Sequence, residues 1–508
     1  MIMKRLGFIS LFLCFSYLVC NAQEEWKVIR GGCLPTGLPQ QSYVNSASLS
    51  PLRRLPAFND QWDPSRTYKQ LVVLIEFSDQ TFDRENIREV YESILNEPGY
   101  NEGEGMGCVA DYFRMQSDGQ LNLQFDVYGP YTVSQKAQPY ENPTKDTKNY
   151  GAESFVEATN MLIEEHPDMD FSQYDWNGNG SVNQVIYVYA GLPGNISSET
   201  CYGHIWPNTS SFSTITAPDG TKIRMYTASA EKWPTTKYRS CGIGTICHEF
   251  SHCLGLPDTY PTNDWCYSIC DEWDIMDGGL FTNYGWCPPN FTSLEKMLLG
   301  WQTPVELTEP ASITDLKPVS EGGAVYRVML SEDNGSAKDY LLLENRQHTG
   351  WDKGAPGSGL MVWRVHYDNS AWSNNSVNNK RDDPYFHPVY ADSLNYTQWD
   401  DKVSAEGLSI YQNSNHMNSR MLSTSPFPYM DNNSFEEANI SHIVVNDEGL
   451  VSFDFMGGDM SAIMTPSNQT DGLPTHVFNI QGQQVSTMKQ GRIYIIRRPD
   501  GSSRKIIF

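Results

Sequence analysis

Eleven residues, His248-Glu249-Phe250-Ser251-His252-Cys253-Leu254-Gly255-Leu256-Pro257-Asp258, constrain this chain more than any other stretch. They spell HExxHxxGxxD. In a helix, positions four apart lie one turn apart on the same face, so His248 and His252 can present two imidazoles to one metal. Gly255 can then end the helix in a left-handed conformation that side chains disfavour, turning the chain back. Asp258 thereby reaches a third ligand position. Three protein ligands leave the fourth position of a tetrahedral Zn²⁺ open to water, the arrangement of a catalytic rather than a closed structural site.

Glu249 follows the first ligand and is placed to take a proton from that water. Zinc lowers the pKa of a bound water toward ~7, so a nearby carboxylate can generate the attacking hydroxide and then pass the proton to a leaving amine. This is peptide-bond hydrolysis without a covalent intermediate. The plainer reading is a helix with two structural histidines. By composition HExxH alone arises in about one chain in a hundred of this length, and the added Gly and Asp cut that by a few hundredfold. The stretch Trp273-Asp274-Ile275-Met276-Asp277-Gly278-Gly279, with Met276 eighteen residues after Asp258, adds a second signal. A Met in a tight turn, here Met276, is the hydrophobic floor beneath the zinc in metzincin-type proteases.

The chain resembles the immune inhibitor A family of secreted bacterial metallopeptidases, on more than the zinc helix. Similar features are Glu76-Phe77-Ser78-Asp79, Asp111-Tyr112-Phe113 followed by Ser117-Asp118-Gly119, Tyr174-Asp175, and Ile205-Trp206. Downstream come Leu294-Glu295-Lys296, Leu299-Gly300-Trp301, Leu343-Glu344-Asn345-Arg346 and Gly350-Trp351-Asp352. The resemblance covers roughly residues 70 to 455. It implies that His248, His252 and Asp258 bind zinc, that Glu249 is the catalytic base and that the substrate is protein. One departure is the pair Cys247 and Cys253 flanking the zinc helix. Consecutive helical residues diverge by ~100°, so Cys247 points away from the face of His248, and residues six apart cannot easily pair with each other. Disulfides to Cys266 or Cys270, or plain burial, are the expectations.

Weaker signals carry two readings each. Asp175, Asn177 and Asn179, with Gly180 at position six and Val182 at eight, match the first half of a calcium loop, but Ile186 stands where a bidentate Glu is required. Either Ca²⁺ binds with help from Asp168 or Asp170, or the segment is a Gly-Asn turn into a strand. Cys33 in Arg30-Gly31-Gly32-Cys33-Leu34-Pro35 is either a latency thiolate for the zinc or a disulfide or idle thiol. His204 and His366 read as structural or exposed rather than as ligands. Tyr284, eight residues after Met276, is a candidate oxyanion donor among 28 tyrosines.

The rest of the chain places these motifs. Of its 508 residues 61 are acidic and 36 basic, a formal charge of −25 that repels phosphate backbones and excludes nucleic acid as a partner. Lys4 and Arg5, the apolar run Leu6 to Val19 and Cys20-Asn21-Ala22 read as an export signal over 1–22, the run being shorter than the ~20 residues a membrane span needs. No later segment is apolar and long enough to cross a bilayer. Residues 23–65, with the pair Arg53-Arg54, read as a leader or pro-segment. Strands are expected at Leu71 to Ile75, Leu121 to Val127, Tyr131 to Val133 and Val182 to Ala190, with helices at Glu85 to Leu95, Gly107 to Met115 and Ala152 to Glu165. After Trp301 short β-like runs follow, including Tyr340 to Glu344, Gly359 to Val365 and Val451 to Phe455. Asp368 to Ser434 is dense in Asn, Asp, Ser and Tyr and reads as long surface loops. The tail 476–508 carries +5 and the remainder −30. It is similar to a type IX secretion sorting signal, the alternative being a β hairpin of the preceding domain.

The expectation is an α+β chain. A metzincin-like zinc-peptidase domain over 66–302, a mixed sheet plus active-site helix, precedes a β-sandwich-like domain over 303–458, a linker over 459–475 and a short β tail. Its function would be that of an exported zinc endopeptidase acting on proteins or peptides, at the cell surface or beyond, with the tail addressing the outer-membrane secretion machinery. The competing class is a surface adhesin or binding protein with a vestigial or structural zinc site.

Overall fold

The computed structural model describes residues 62–389 and 439–458, apart from 103–104, 145, 197, 236, 264–268, 334–335, 356 and 381–382, and the tail segments 476–479, 483–485, 493–497 and 503–507. The expected export signal, nearly all of the leader with Cys33 and Arg53-Arg54, Cys266 and the linker lie outside the described residues.

Five strands form the first sheet: β1 (Thr67–Glu76), β2 (Asn122–Thr132), β3 (Val185–Tyr189), β4 (Asn208–Thr216) and β5 (Lys222–Ala230), in the order β2-β1-β3-β5-β4. The first four in that order run parallel, and β4 returns antiparallel at the edge. Leu71 to Ile75 and Val185 to Tyr189 are uninterrupted apolar runs with no exposed surface, as central strands covered on both faces require. Helix α1 (Ile87–Asn96) buries Ile87, Tyr91, Ile94 and Leu95, an apolar stripe at helical spacing. Helix α2 (Val109–Gln116) starts in a capping box between Cys108 and Asp111. Helix α3 (Ala152–Glu165) stacks Phe155 on Tyr187, ring centroids 4.5 Å apart. Helix α4 (Gly244–Cys253) is buried on every side.

Two local differences from the sequence reading have clear causes. The runs around Phe125 and Tyr131 are one strand, β2, because a one-residue bulge at Gly129-Pro130 absorbs the break while pairing with β1 resumes beyond it. The β4–β5 hairpin is not apparent from periodicity, because the Ser- and Thr-rich β4 lacks apolar alternation.

Beyond α5 (Ser293–Leu298) come β6 (Val305–Glu306), β7 (Ala311–Leu316), β8 (Tyr326–Asp333), β9 (Ser336–Arg346), β10 (Gly359–His366), α6 (Asn369–Ser373), β11 (Phe386–Pro388), β12 (Ile440–Val445) and β13 (Val451–Phe455). They make a sheet ordered β11-β10-β9-β8-β6 and a smaller one ordered β12-β13-β7. Alternation along β9 and β10 sorts side chains into two cores. Leu341, Leu343, Leu360 and Val362 join Ile313 and Phe453 of the smaller sheet. Tyr340, Leu342, Met361 and Trp363 face Ile269, Trp273 and Leu294 of the first region. The larger sheet therefore lies against the segment that carries Met276.

A buried ion network crosses that seam. Arg346 has no exposed surface; its Nε donates to Glu344 at 2.8 Å, its Nη1 to Asp352 at 2.7 Å, and its remaining donors reach the carbonyls of Asn290 and Phe291. The expectation of surface loops from Asp368 onward is corrected over 368–389. That stretch holds α6 and β11 and buries Trp372, Val377, Phe386, Asn375 and Asn378. Asparagines can be interior here because both the oxygen and the nitrogen of each side-chain amide find hydrogen-bond partners inside. Residues 390–438 lie outside the described residues. In the tail, β14 (His476–Asn479), β15 (Ile493–Arg497) and β16 (Ser503–Ile507) pair antiparallel in that order.

Candidate metal centre

The histidine-bearing helix is α4, and its position is set by close backbone contact. A Cβ added at Gly244 would lie 2.0 Å from the Leu280 carbonyl oxygen, so only glycine lets the first turn approach the segment after Met276. The last turn closes as the motif requires. Gly255 has φ +103°, its N–H donates to the His252 carbonyl at 3.0 Å, and the Leu256 N–H donates to the Ser251 carbonyl at 3.1 Å. That pair of bonds is a Schellman motif, which ends the helix and reverses the chain toward Asp258.

Both imidazoles are oriented by backbone. His248 Nδ1 bonds the Ile275 carbonyl at 2.7 Å and His252 Nδ1 bonds the Leu256 carbonyl at 2.8 Å, which turns each Nε2 toward Asp258. Asp258 Oδ1 lies 3.4 Å from His248 Nε2 and 3.2 Å from His252 Nε2. Among the described residues, these three are the group whose ligand atoms gather within 4.8 Å. Zinc–ligand bonds of 2.0–2.2 Å at tetrahedral angles put neighbouring ligand atoms about 3.4 Å apart, so the donor set fits zinc without rearrangement of these contacts. Asp258 is fully buried and its Oδ1 is approached by both histidine Nε2 atoms, the situation of an oxygen placed to share a cation with them.

The electrostatics agree. Burial alone would raise the Asp258 carboxyl, but the charges and hydrogen bonds of His252 and His248 hold it well below the usual carboxylate range. Burial alone would lower His248, but its bond to Asp258 and the charges of Glu249 and Asp258 carry it up to about 9. The pocket favours net positive charge between its ligands, which a divalent cation supplies.

Glu249 diverges from the histidine face toward β4. Thr209 Oγ lies 2.8 Å from its Oε2 and 2.7 Å from its backbone carbonyl, and the single hydroxyl proton can serve one at a time. Burial raises the Glu249 carboxyl; the two histidines and Thr209 oppose that rise, and Asp258 adds to it. A carboxyl raised by burial is suited to accept and return a proton.

The turn at Met276 is stitched to both ligand-bearing segments. The Thr259 N–H donates to the Met276 carbonyl at 3.0 Å, and Asp274 accepts from the Met276 N–H and the Thr259 hydroxyl at 2.7 Å each. Asp277 Oδ2 accepts the backbone N–H groups of Ile269, Cys270 and Asp271. Met276 itself has no exposed surface.

Other sequence candidates fall elsewhere. Cys247 and Cys253 are buried free thiols pushed up by burial, and no described cysteine is in a disulfide. Tyr284 lies under the Arg239 guanidinium, 3.8 Å from ring centroid to Cζ. His366 pairs with Asp339. Asp175 accepts from the N–H groups of Asn179 and Gly180, and Asn179 accepts from that of Ser181, so these oxygens brace their own loop and the turn reading needs no ion. Sequence reasoning missed Thr209, Thr259, Tyr260 and Asn375. Tyr260 is buried two residues past the motif, its phenol raised by burial and by the charges of Asp258 and Glu249. Thr259 and Tyr260 adjoin the motif and were findable by position; nothing local marks Thr209 or Asn375.

Residues 58–300 match the family described as immune inhibitor A peptidase M6, catalytic domain. Immune inhibitor A of Bacillus thuringiensis subsp. alesti is 24% identical over 279 residues, covering 46% of this chain and 39% of that protein. Pre-pro-metalloprotease PrtV of Vibrio cholerae serotype O1 is 23% identical over 265 residues, covering 47% of this chain and 28% of that protein. The match thus spans well under half the length of either relative. The matched stretch encloses the first sheet, the histidine helix and the Met276 turn, so over residues 58–300 the chain is similar to the catalytic domain of the immune inhibitor A peptidase M6 family.

Proposed function

We propose that this protein is an exported zinc-dependent endopeptidase. The observation that carries the reading is the placement of Asp258 Oδ1 at 3.4 and 3.2 Å from two backbone-oriented imidazole nitrogens, with the Glu249 carboxyl on the adjoining residue. His248, His252 and Asp258 would hold the ion. Bound at such a donor set, zinc supplies a water of lowered pKa and polarises a carbonyl oxygen. Glu249 takes the proton of the attacking water on its carboxylate and delivers it to the leaving amine nitrogen. Thr209 holds that carboxylate in place, and the Ile275 and Leu256 carbonyls, bonded to the Nδ1 atoms, orient each Nε2 toward Asp258. The enclosing walls of α4 and the Met276 turn exclude bulk water from these groups.

The same proposal includes an export signal over 1–22, a leader over 23–65, a catalytic domain over 66–302, a β-sandwich-like domain over 303–458 and a sorting tail over 476–508. Protein substrates are supported by the family match, and Ca²⁺ at Asp175, Asn177 and Asn179 is a separate claim tested by calcium titration of thermal unfolding. The central test is Glu249→Ala. The variant is expected to bind one zinc per chain and unfold like the parent while losing casein hydrolysis. Casein cleavage at the parent rate would overturn the mechanism, and zinc binding without proteolysis in the leader-free parent would favour a binding protein.

A further inference from the structure

We propose that Asn375 is a positioning residue of the metal centre: it sets the Asp258 carboxylate for the cation, and it makes residues 369–379 of the β-rich region part of the site. The inference rests on the reading of Asp258 as a metal ligand.

The contact is two-pronged. Asn375 Nδ2 donates to Asp258 Oδ2 at 2.6 Å, and Asn375 Oδ1 accepts the Asp258 backbone N–H at 2.7 Å. One planar amide therefore reads the main chain and the side chain of the same residue. The orientation is unambiguous, since exchanging O and N would set an N–H against an N–H and an oxygen against a carboxylate. With Oδ2 engaged, the carboxylate cannot turn about its terminal torsion, and Oδ1 is the oxygen left facing both histidines. Ligating carboxylates are commonly held this way by an outer hydrogen bond, and removing such a partner costs tenfold to a hundredfold in metal affinity.

The residue type suits the place. Asn375 has φ +53°, a left-handed conformation that Asn tolerates better than other side chains, and it is 2% exposed. It enters the site at the end of α6, carried by the same sheet that packs on the Met276 segment. Its neighbours anchor the following loop without touching a ligand. Asn378 Nδ2 donates to the Thr259 carbonyl at 2.6 Å, and Asn379 Oδ1 accepts the Thr262 N–H at 2.7 Å. Asn375 alone of the three touches Asp258, so a general role in bracing the loop and a specific role at the ligand separate by position.

The test uses the full chain. Zinc affinity is measured by competition with a chromophoric chelator at pH 7.5, and the cobalt-substituted protein gives a visible spectrum that reports ligand geometry. Asn375→Asp keeps the acceptor for the Asp258 N–H and loses the donor to Oδ2; Asn375→Leu loses both. Each is expected to bind zinc about 10- to 100-fold more weakly and to shift the cobalt bands, whereas Asn379→Ala stays within about threefold of the parent. Parent-like affinity and spectrum in Asn375→Asp overturns the proposal, and so does an equal loss in Asn379→Ala. If Asn375→Leu does not fold, Asn375→Asp decides alone, or Asn375→Ser should it too fail. Should Asp258→Ala bind zinc as tightly as the parent, it is the ligand reading that fails rather than the role of Asn375.

Discussion

Asn375 grips Asp258 at two points across 117 residues of sequence, one on its backbone N–H and one on its carboxylate. The third candidate ligand thus belongs to one region of the chain and its support to another. His248 and His252 need no such outside partner, since the Ile275 and Leu256 carbonyls orient them from within residues 244–276. On the proposed reading of Asp258 as a ligand, a set split this way would couple the docking of the β-rich region to the completeness of the metal centre.

Thr209→Val should reveal the hydroxyl that steadies Glu249. The substitution keeps shape and removes the donor to Oε2. A hydrogen bond to a carboxylate favours its ionised form, so losing it raises the Glu249 carboxyl further and moves the acid limb of kcat/KM to higher pH. A pH–rate profile on a casein-derived peptide checks this. An unshifted limb would remove Glu249 as the group titrating there.

Arg346→Ala should be among the most destabilising single changes in the molecule. It leaves Glu344 and Asp352, neither with exposed surface, as buried carboxylates without their cation. Breaking a buried pair from one side costs about 3–5 kcal/mol. Denaturant unfolding of the full chain measures it, and a loss under about 1 kcal/mol would mean that the network is hydrated.

His204 supplies an acid-sensitive element away from the metal. Burial pushes its imidazole down to about 4 from 6.5; Lys232 adds to the drop and Asp79 partly offsets it. Between those values the folded protein binds fewer protons at this site than the unfolded chain does. Stability therefore rises with pH through the window and is lost as pH falls from 6.5 toward 4, by up to about 3 kcal/mol. His204→Gln should flatten that part of the stability–pH curve. An identical curve for parent and variant would assign the acid lability elsewhere.

What could be read early and what could not divides along the range of the interactions. The α4 helix, its end at Gly255 and the return to Asp258 follow from spacing and from one residue's freedom at positive φ, all within eleven positions. The helix at Ala152–Glu165 and the strand at Val451–Phe455 follow from local periodicity and match residue for residue. The β4–β5 hairpin escapes because β4 is polar, and it is held by pairing with β5 rather than by its own pattern. The asparagine-rich stretch over 368–389 misleads for the complementary reason: composition reports the solubility of a side chain, not whether its hydrogen bonds are met inside.

By itself the sequence singled out the three candidate ligands and the candidate base, because a helical repeat and a glycine turn place them relative to one another through short covalent connections. Only the tertiary structure decided which oxygen of Asp258 faces the histidines, which hydroxyl steadies Glu249 and which region holds the third ligand. Those outcomes depend on hydrogen bonds between segments far apart in sequence, and their geometry exists only once the two regions have packed.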